Sequence, residues 1–411
     1  MTESDRPKNP LPEPLRGTDS GSFAEYTVTV RLLNILKEVI AVNDFPPQVM
    51  ASLRALQEEI PTARVRPLQD PGAPDLEDWS RYVRSVAGST WLQVPWFFAE
   101  TYFYRRILEA TGYFQPGPTQ GRDPYIIQKR RVLQQGLAAG QALIAPLEEQ
   151  LDRAQAGPAQ KGEELRRLVL LNLWGNQADL SMWSVEDEGR PEHTELEQQA
   201  AHLLVDDSQA AVDWVSAFEG QLRVDFIMDN AGPELLHDMA LADFLLTTKA
   251  AESVYFHLKS HPTFVSDAMI KDVEETIEHL SSQPEPSAQG LARRLKGHLA
   301  EGRLHMKEDF FWNSPLLGWE MPARIRQDLS RSNLLVSKGD ANYRRLLGDR
   351  HWPPATALSE VVRYLPAPVL VLRVAKAEIA VGLRPGQAEE LDRIDPDWRI
   401  DGDWGMIQFA A

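Results

Sequence analysis

From about residue 200 onward the chain alternates short apolar, β-like runs with helical patterns, and this alternation restricts the fold more than any other feature. LRVDFIM (Leu222–Met228) is followed by the helical stretch PELLHDMALADFLLTTKAA, and SVYFHLKS (Ser253–Ser260) by DAMIKDVEETIEHL. GRLHMKEDFFW, LLVSKGD, the helical NYRRLLGD, PVLVLRVAK and GMIQF complete the series. Successive strands separated by helices need crossover connections, and these favour a largely parallel sheet with helices on both faces. The predicted fold class is therefore α/β, a Rossmann-like three-layer sandwich with a mainly parallel sheet. Such sheets bind ligands at the loops that leave the C-terminal ends of their strands.

Upstream, the period changes. TVRLLNILKEVIAVN, MASLRALQEEI, VPWFFAETYFYRRILEATG and VLLNLWGNQADLSMW carry apolar residues three and four apart, the spacing of amphipathic helices. The expected organisation is a disordered tail over 1–20, an all-helical N-terminal lobe over 21–200, and an α/β domain over 201–411. A chain of 411 residues exceeds what one core usually serves, so two lobes are reasonable.

Charge narrows the partners. With 43 Lys and Arg against 60 Asp and Glu, the formal charge is −17, a field that repels nucleic acid and anionic membrane. No cysteine is present, which removes disulfides, thiolate metal sites and cysteine nucleophiles, and fits a reducing compartment. The apolar runs fall short of transmembrane length, and MTESDRPKNPLPEPLRG is polar and proline-rich rather than a signal peptide. A cytoplasmic protein without nucleic-acid or membrane partners is expected.

Three loops carry the chemistry. VDFIMDNAGPE holds Asp229, Asn230 and Glu234; TFVSDAM holds Asp267; LLVSKGDANYRR holds Lys338, Asp340, Ala341, Asn342, Tyr343 and Arg344. Each acidic residue can serve as a helix cap. Taken together, Asp229, Asn230 and Asp267 form an all-oxygen donor set suited to a hard divalent ion. Lys338, Arg344 and Lys376 are the cations placed to face them, with Arg344 able to grip phosphate oxygens in a bidentate way. Gly339 frees the backbone, and the helix start after it is a natural anion site. In the lobe, Asn176 and Asp179 of NLWGNQADLS are polar groups in a packed turn. WFFAETYFYRRI reads as core.

DNAGPELLHDMALADFLL, FHLKSHPTFVSD, LLVSKGDANYRRLLGDRHW, LRVAKAEIAVGL and WGMIQF together resemble the metal-dependent damage-control phosphatases. The likeness is to their sugar-phosphate phosphatase subgroup, also called the acidic residue methyltransferase family, and runs from about residue 21 to the C-terminus. It implies a phosphomonoester hydrolase acting on fructose 1-phosphate or fructose 6-phosphate, a small phosphorylated metabolite in each case, with Mn²⁺, Mg²⁺, Co²⁺ or Ni²⁺. By position it assigns the metal to Asp229, Asn230 and Asp267. Substrate falls to Asp229, Asn230, the run Asp340–Arg344 and Lys376, with Glu234 as a further contact. One departure stands out: the subgroup's Arg-Thr-x-Lys reads Arg373, Val374, Ala375, Lys376 here. The resemblance leaves open whether Asp229 is a nucleophile or only a ligand. The rival readings are S-adenosylmethionine-dependent glutamate O-methylation, for which DNAG is a poor substitute for a glycine-rich loop, and a non-catalytic phosphometabolite binder.

Overall fold

The computed structural model describes residues 7, 10–175 and 201–411. Its seven strands are β1 (Leu203–Asp206), β2 (Arg223–Ile227), β3 (Ser253–Leu258), β4 (Leu304–Glu308), β5 (Leu334–Lys338), β6 (Val369–Val374) and β7 (Gly405–Ala410). They form one sheet in the order β1-β7-β6-β5-β2-β3-β4. The five strands β4, β3, β2, β5 and β6 are mutually parallel. At the other edge β7 runs antiparallel to β6, and β1 follows β7. The mainly parallel three-layer sandwich expected from the alternation is what forms, with helices from the N-terminal region packed against it.

From β2 the chain moves outward to β3 and β4, then returns to β5 on the other side of β2. That reversal between β2 and β5 opens the crevice in which doubly wound sheets bind ligands. Asp229 and Asn230 follow β2 directly, and Gly339 and Asp340 follow β5.

Strand alternation divides the core in two. Leu370, Leu372 and Val374 join Leu334 and Val336 in a core shared with helices Leu147–Ala154, Pro158–Trp174 and Pro233–Thr247. Val369, Val371 and Leu335 face the opposite way, into a core shared with helices Leu32–Val42, Pro47–Glu59 and Trp96–Thr111. Both sheet faces are covered, which is why the strands read as continuous apolar runs. The packing on this side of the sheet runs across residue 200. Helix Pro158–Trp174 belongs to the sandwich, because Leu165, Leu168 and Val169 are buried against the sheet-side core.

The opening segment also differs from the free tail expected over residues 1–20. Within 10–20, Leu15 is buried, its N–H donates to Asp349 O (2.9 Å), and its carbonyl accepts from Trp96 N–H (2.8 Å). The polar, proline-rich composition hid this, since proline removes N–H donors yet leaves an extended chain able to pair through its other groups. No helix among the described residues is long and apolar enough to cross a membrane.

Candidate functional site

Two strand-end loops zip together to make the site. Asn230 and Asp267 form an isolated antiparallel bridge. Beside it Ala231 N–H donates to Ser266 O (2.7 Å), and Ala268 N–H donates to Asp229 O (2.7 Å). Backbone pairing, rather than side-chain attraction, therefore sets Asp229, Asn230 and Asp267 against one cavity. The second loop reaches that position through Phe264 and Val265, both at positive φ (47° and 65°). Consecutive left-handed residues without glycine are costly, and the β-branched Val265 most of all, so the surrounding structure must hold them there.

The donor set is internally braced. Asn230 Nδ2 donates to Asp229 Oδ2 and to Glu234 Oε2, each at 2.9 Å, while its carbonyl oxygen accepts from Ser266 Oγ (2.5 Å). A carbonyl oxygen accepts two hydrogen bonds, so the Ser266 contact does not exclude a cation from that atom. Lys259, at the end of β3, lies 3.2 Å from Asp267 Oδ2. Buried Lys129 donates to Asp267 O (2.7 Å) and Asp272 Oδ2 (2.8 Å). Gly339 (φ 76°) lies so close that a β-carbon on it would meet Asp229 Oδ2 at 1.8 Å. Among the described residues no three His, Cys, Asp or Glu side chains gather as a metal cage. The donor set is two carboxylates and an amide. That composition fits a hard divalent ion completing its shell with water, and not a closed zinc site.

Facing these loops are Asp340, Ala341, Arg344 and Lys376. Arg373 sets this wall. Its Nε donates to Asp340 Oδ1 (2.7 Å), and its Nη atoms donate to Ile379 O (2.6 Å) and Ala377 O (2.9 Å), which fixes the loop carrying Lys376. The missing threonine has a simple location: Val374 points to the opposite sheet face, fully buried in the helix-side core.

Several expected contacts lie elsewhere. Lys338, proposed to face the acids, shares strand parity with Leu334 and Val336 and so points to the other face. There it donates to Asn172 O (3.0 Å) and approaches Glu234 and Asp238. Burial opposes its charge, but those two carboxylates outweigh the penalty and raise its pKa. Glu234, expected as a substrate contact, instead bridges Asn230 to Lys338. The Asn342 side chain is likewise turned inward, its amide donating to Met228 O and Lys338 O (both 2.9 Å). Fully buried Tyr343 accepts from Val381 N–H (3.1 Å) beneath Arg373. Only backbone groups of these two residues remain to offer a ligand. Arg344 lines the cavity, yet its Nε and Nη2 are spent on Asp349 (2.9 Å each) and its plane lies 3.6 Å over Trp96. Asn176 and Asp179 lie outside the described residues.

Three lining residues were not legible in the sequence: Arg31, Glu100 and Phe264. Arg31 sits in a segment that reads as an amphipathic helix, and Glu100 in one that reads as core. Phe264 packs against Tyr104 (4.9 Å). The cavity is small, with about 30 Å³ of room for water-sized occupants.

Comparison with known proteins gives the family. A family model described as "Damage-control phosphatase ARMT1-like domain" matches residues 27–391. "Damage-control phosphatase ARMT1" of Danio rerio is 32% identical over 97% of this chain and 97% of its own. The Xenopus laevis protein of that name is 33% identical over 97% and 98%, respectively. A solved chain described as a duf89 family protein from Pyrococcus horikoshii covers 92% of this chain and 96% of its own at 14% identity. Its TM-score is 0.43. Matched by that model over most of its length and by relatives along nearly all of theirs, the chain belongs to the damage-control phosphatase ARMT1-like family.

Proposed function

We propose that the protein hydrolyses small phosphate monoesters, sugar phosphates such as fructose 1-phosphate or fructose 6-phosphate foremost, with the help of a divalent cation. The observation that carries the reading is the convergence of Asp229, Asn230 and Asp267 with Arg344 and Lys376 on one cavity. Further support comes from the family and from relatives named as damage-control phosphatases. Mn²⁺, Mg²⁺, Co²⁺ or Ni²⁺ held by Asp229, Asn230 and Asp267 would neutralise charge and polarise a phosphoryl oxygen.

The chain's own groups supply the rest. Lys376, on a loop fixed by Arg373, takes a phosphate oxygen. Ala341 lies in the first turn of helix Gly339–Leu347, where backbone N–H groups and the helix dipole favour an anion. Asp340 is oriented by Arg373 and accepts from substrate hydroxyls. Phosphoryl transfer needs mainly positioning and electrostatics, so this set of groups is sufficient. Asp229 sits between the donor set and Gly339, where its carboxylate serves as ligand or as nucleophile. Substrate is a soluble metabolite, with no role for nucleic acid or membrane.

The test is a screen of sugar phosphates and nucleotides for phosphate release, with and without several divalent ions. Chelator-sensitive release that Asp229→Ala abolishes is expected. Full turnover by Asp229→Ala, or methyl ester formation from a methyl donor in place of phosphate release, would defeat the reading.

A further inference from the structure

We propose that Arg31, supplied by the helical lobe, selects the hydroxyl-bearing body of the substrate, and that Glu100 is its positioning partner. The inference rests on the hydrolase reading above and names the residue that discriminates among esters. Arg31 closes a π-helical stretch, Thr27–Arg31, at the entry to helix Leu32–Val42. Such widened turns recur where a helix redirects a side chain towards a functional site. Here the redirected side chain reaches the cavity holding Asp229, Asn230 and Asp267.

Glu100 explains how it is held. On a helix otherwise rich in aromatic and apolar residues, its fully buried carboxylate accepts from Arg31 Nη1 (3.0 Å) through Oε1 and from Arg344 Nη1 through Oε2. One carboxylate thus ties a guanidinium of the lobe to a guanidinium of helix Gly339–Leu347. Arg344 is committed to Asp349 and Trp96 and is the structural member of the pair. Arg31 differs in exposure: 12% of its side chain is accessible, against 4% for that of Arg344, and Lys376 is buried. It is therefore the cation of the rim. Because the cavity is small, about 30 Å³, the body of a hexose phosphate extends from it towards that rim. A guanidinium offers directed N–H donors to hydroxyl oxygens, whereas an ester with an apolar body gains nothing from them.

The experiment compares fructose 6-phosphate with 4-nitrophenyl phosphate, whose body carries no hydroxyl, using the full-length wild type, Arg31→Gln, Arg31→Lys and Glu100→Gln. The ratio of kcat/KM for the two esters should fall about tenfold or more in Arg31→Gln, the scale of one charge-assisted hydrogen bond. The drop should come through KM for the sugar ester, with Arg31→Lys intermediate and Glu100→Gln in the same direction. A ratio that stays constant, whether both rates fall together or neither changes, overturns the proposal. Calorimetric binding of fructose 6-phosphate separates the two readings. If the wild type turns over neither ester but binds the sugar phosphate, and Arg31→Gln weakens that binding, the hydrolase reading falls and Arg31 keeps its role. Absent binding, or binding indifferent to Arg31, ends it.

Discussion

Gly339 and Asp229 touch across the crevice between β5 and β2: a β-carbon at Gly339 would stand 1.8 Å from Asp229 Oδ2 and 2.3 Å from Cγ. The glycine also holds φ at 76°, which other residues adopt only with strain. Gly339→Ala must therefore push Asp229 off its position. We expect activity to drop about a hundredfold, the penalty typical of an ångström-scale misplacement. The backbone cost should be about 1–3 kcal/mol. Initial rates and denaturant unfolding check both; an alanine variant of normal activity would show that Asp229 needs no fixed position.

Metal removal gives a second test. Chelation should abolish phosphate release by the wild type. Mn²⁺ or Mg²⁺ should raise its melting temperature, because a ligand that binds only the folded state stabilises it. In Asp267→Asn the upward shift should shrink or vanish, since a charged oxygen donor is lost. Calorimetric scans with and without each ion decide it, and an undiminished shift in the variant would remove Asp267 from the donor set.

Lys129 is buried between Asp123 (3.5 Å), Asp272 (2.8 Å) and the Asp267 carbonyl. Burial works against its charge, yet Asp272 and Asp123 outweigh this and raise its pKa. Lys129→Met leaves buried Asp123 and Asp272 with the more exposed Lys271 as their remaining counter-ion (2.8 and 2.9 Å), and should cost up to about 3–5 kcal/mol of stability. It should also loosen the loop that presents Asp267. Urea titration and the metal-induced melting shift report the two effects separately.

The same cluster predicts a pH dependence. Burial raises the Asp272 pKa, but Lys129 and Lys271 more than compensate and hold it below 3.8. A carboxyl depressed in the folded state contributes stability that is present above its unfolded value and lost as pH falls through its folded value. Asp272→Asn should therefore be less stable than wild type at pH 7, and the gap should narrow below about pH 4. Parallel unfolding curves at pH 7, 5 and 3.5 would contradict this by showing a constant difference.

Val374→Thr would restore the residue of the Arg-Thr-x-Lys pattern. Val374 is fully buried, in register with Gly405 and facing the apolar helix-side core, away from the cavity. A hydroxyl there costs about 1–3 kcal/mol unless it finds a partner. We expect lower stability and no gain in sugar-phosphate turnover, measured by chemical denaturation and steady-state kinetics.

Read by itself, the sequence determined the layered α/β plan, because short apolar runs and helical periodicity in alternation are local properties of the chain. It also put Asp229, Asn230, Asp267 and Lys376 on loops that line one cavity, since strand-end loops of a parallel sheet must gather at one edge. What tertiary structure alone decided was which side chains face the cavity. Lys338 turned away because the pleat alternates within β5, and no short motif reveals which parity meets which layer. Arg31 and Glu100 come from helical segments whose apolar spacing conceals the charges that turn inward. Their meeting with Arg344 joins segments 69 and 244 residues apart in the chain. Contacts at that separation follow from how the lobe docks on the sheet, which a periodicity confined to one helix does not encode.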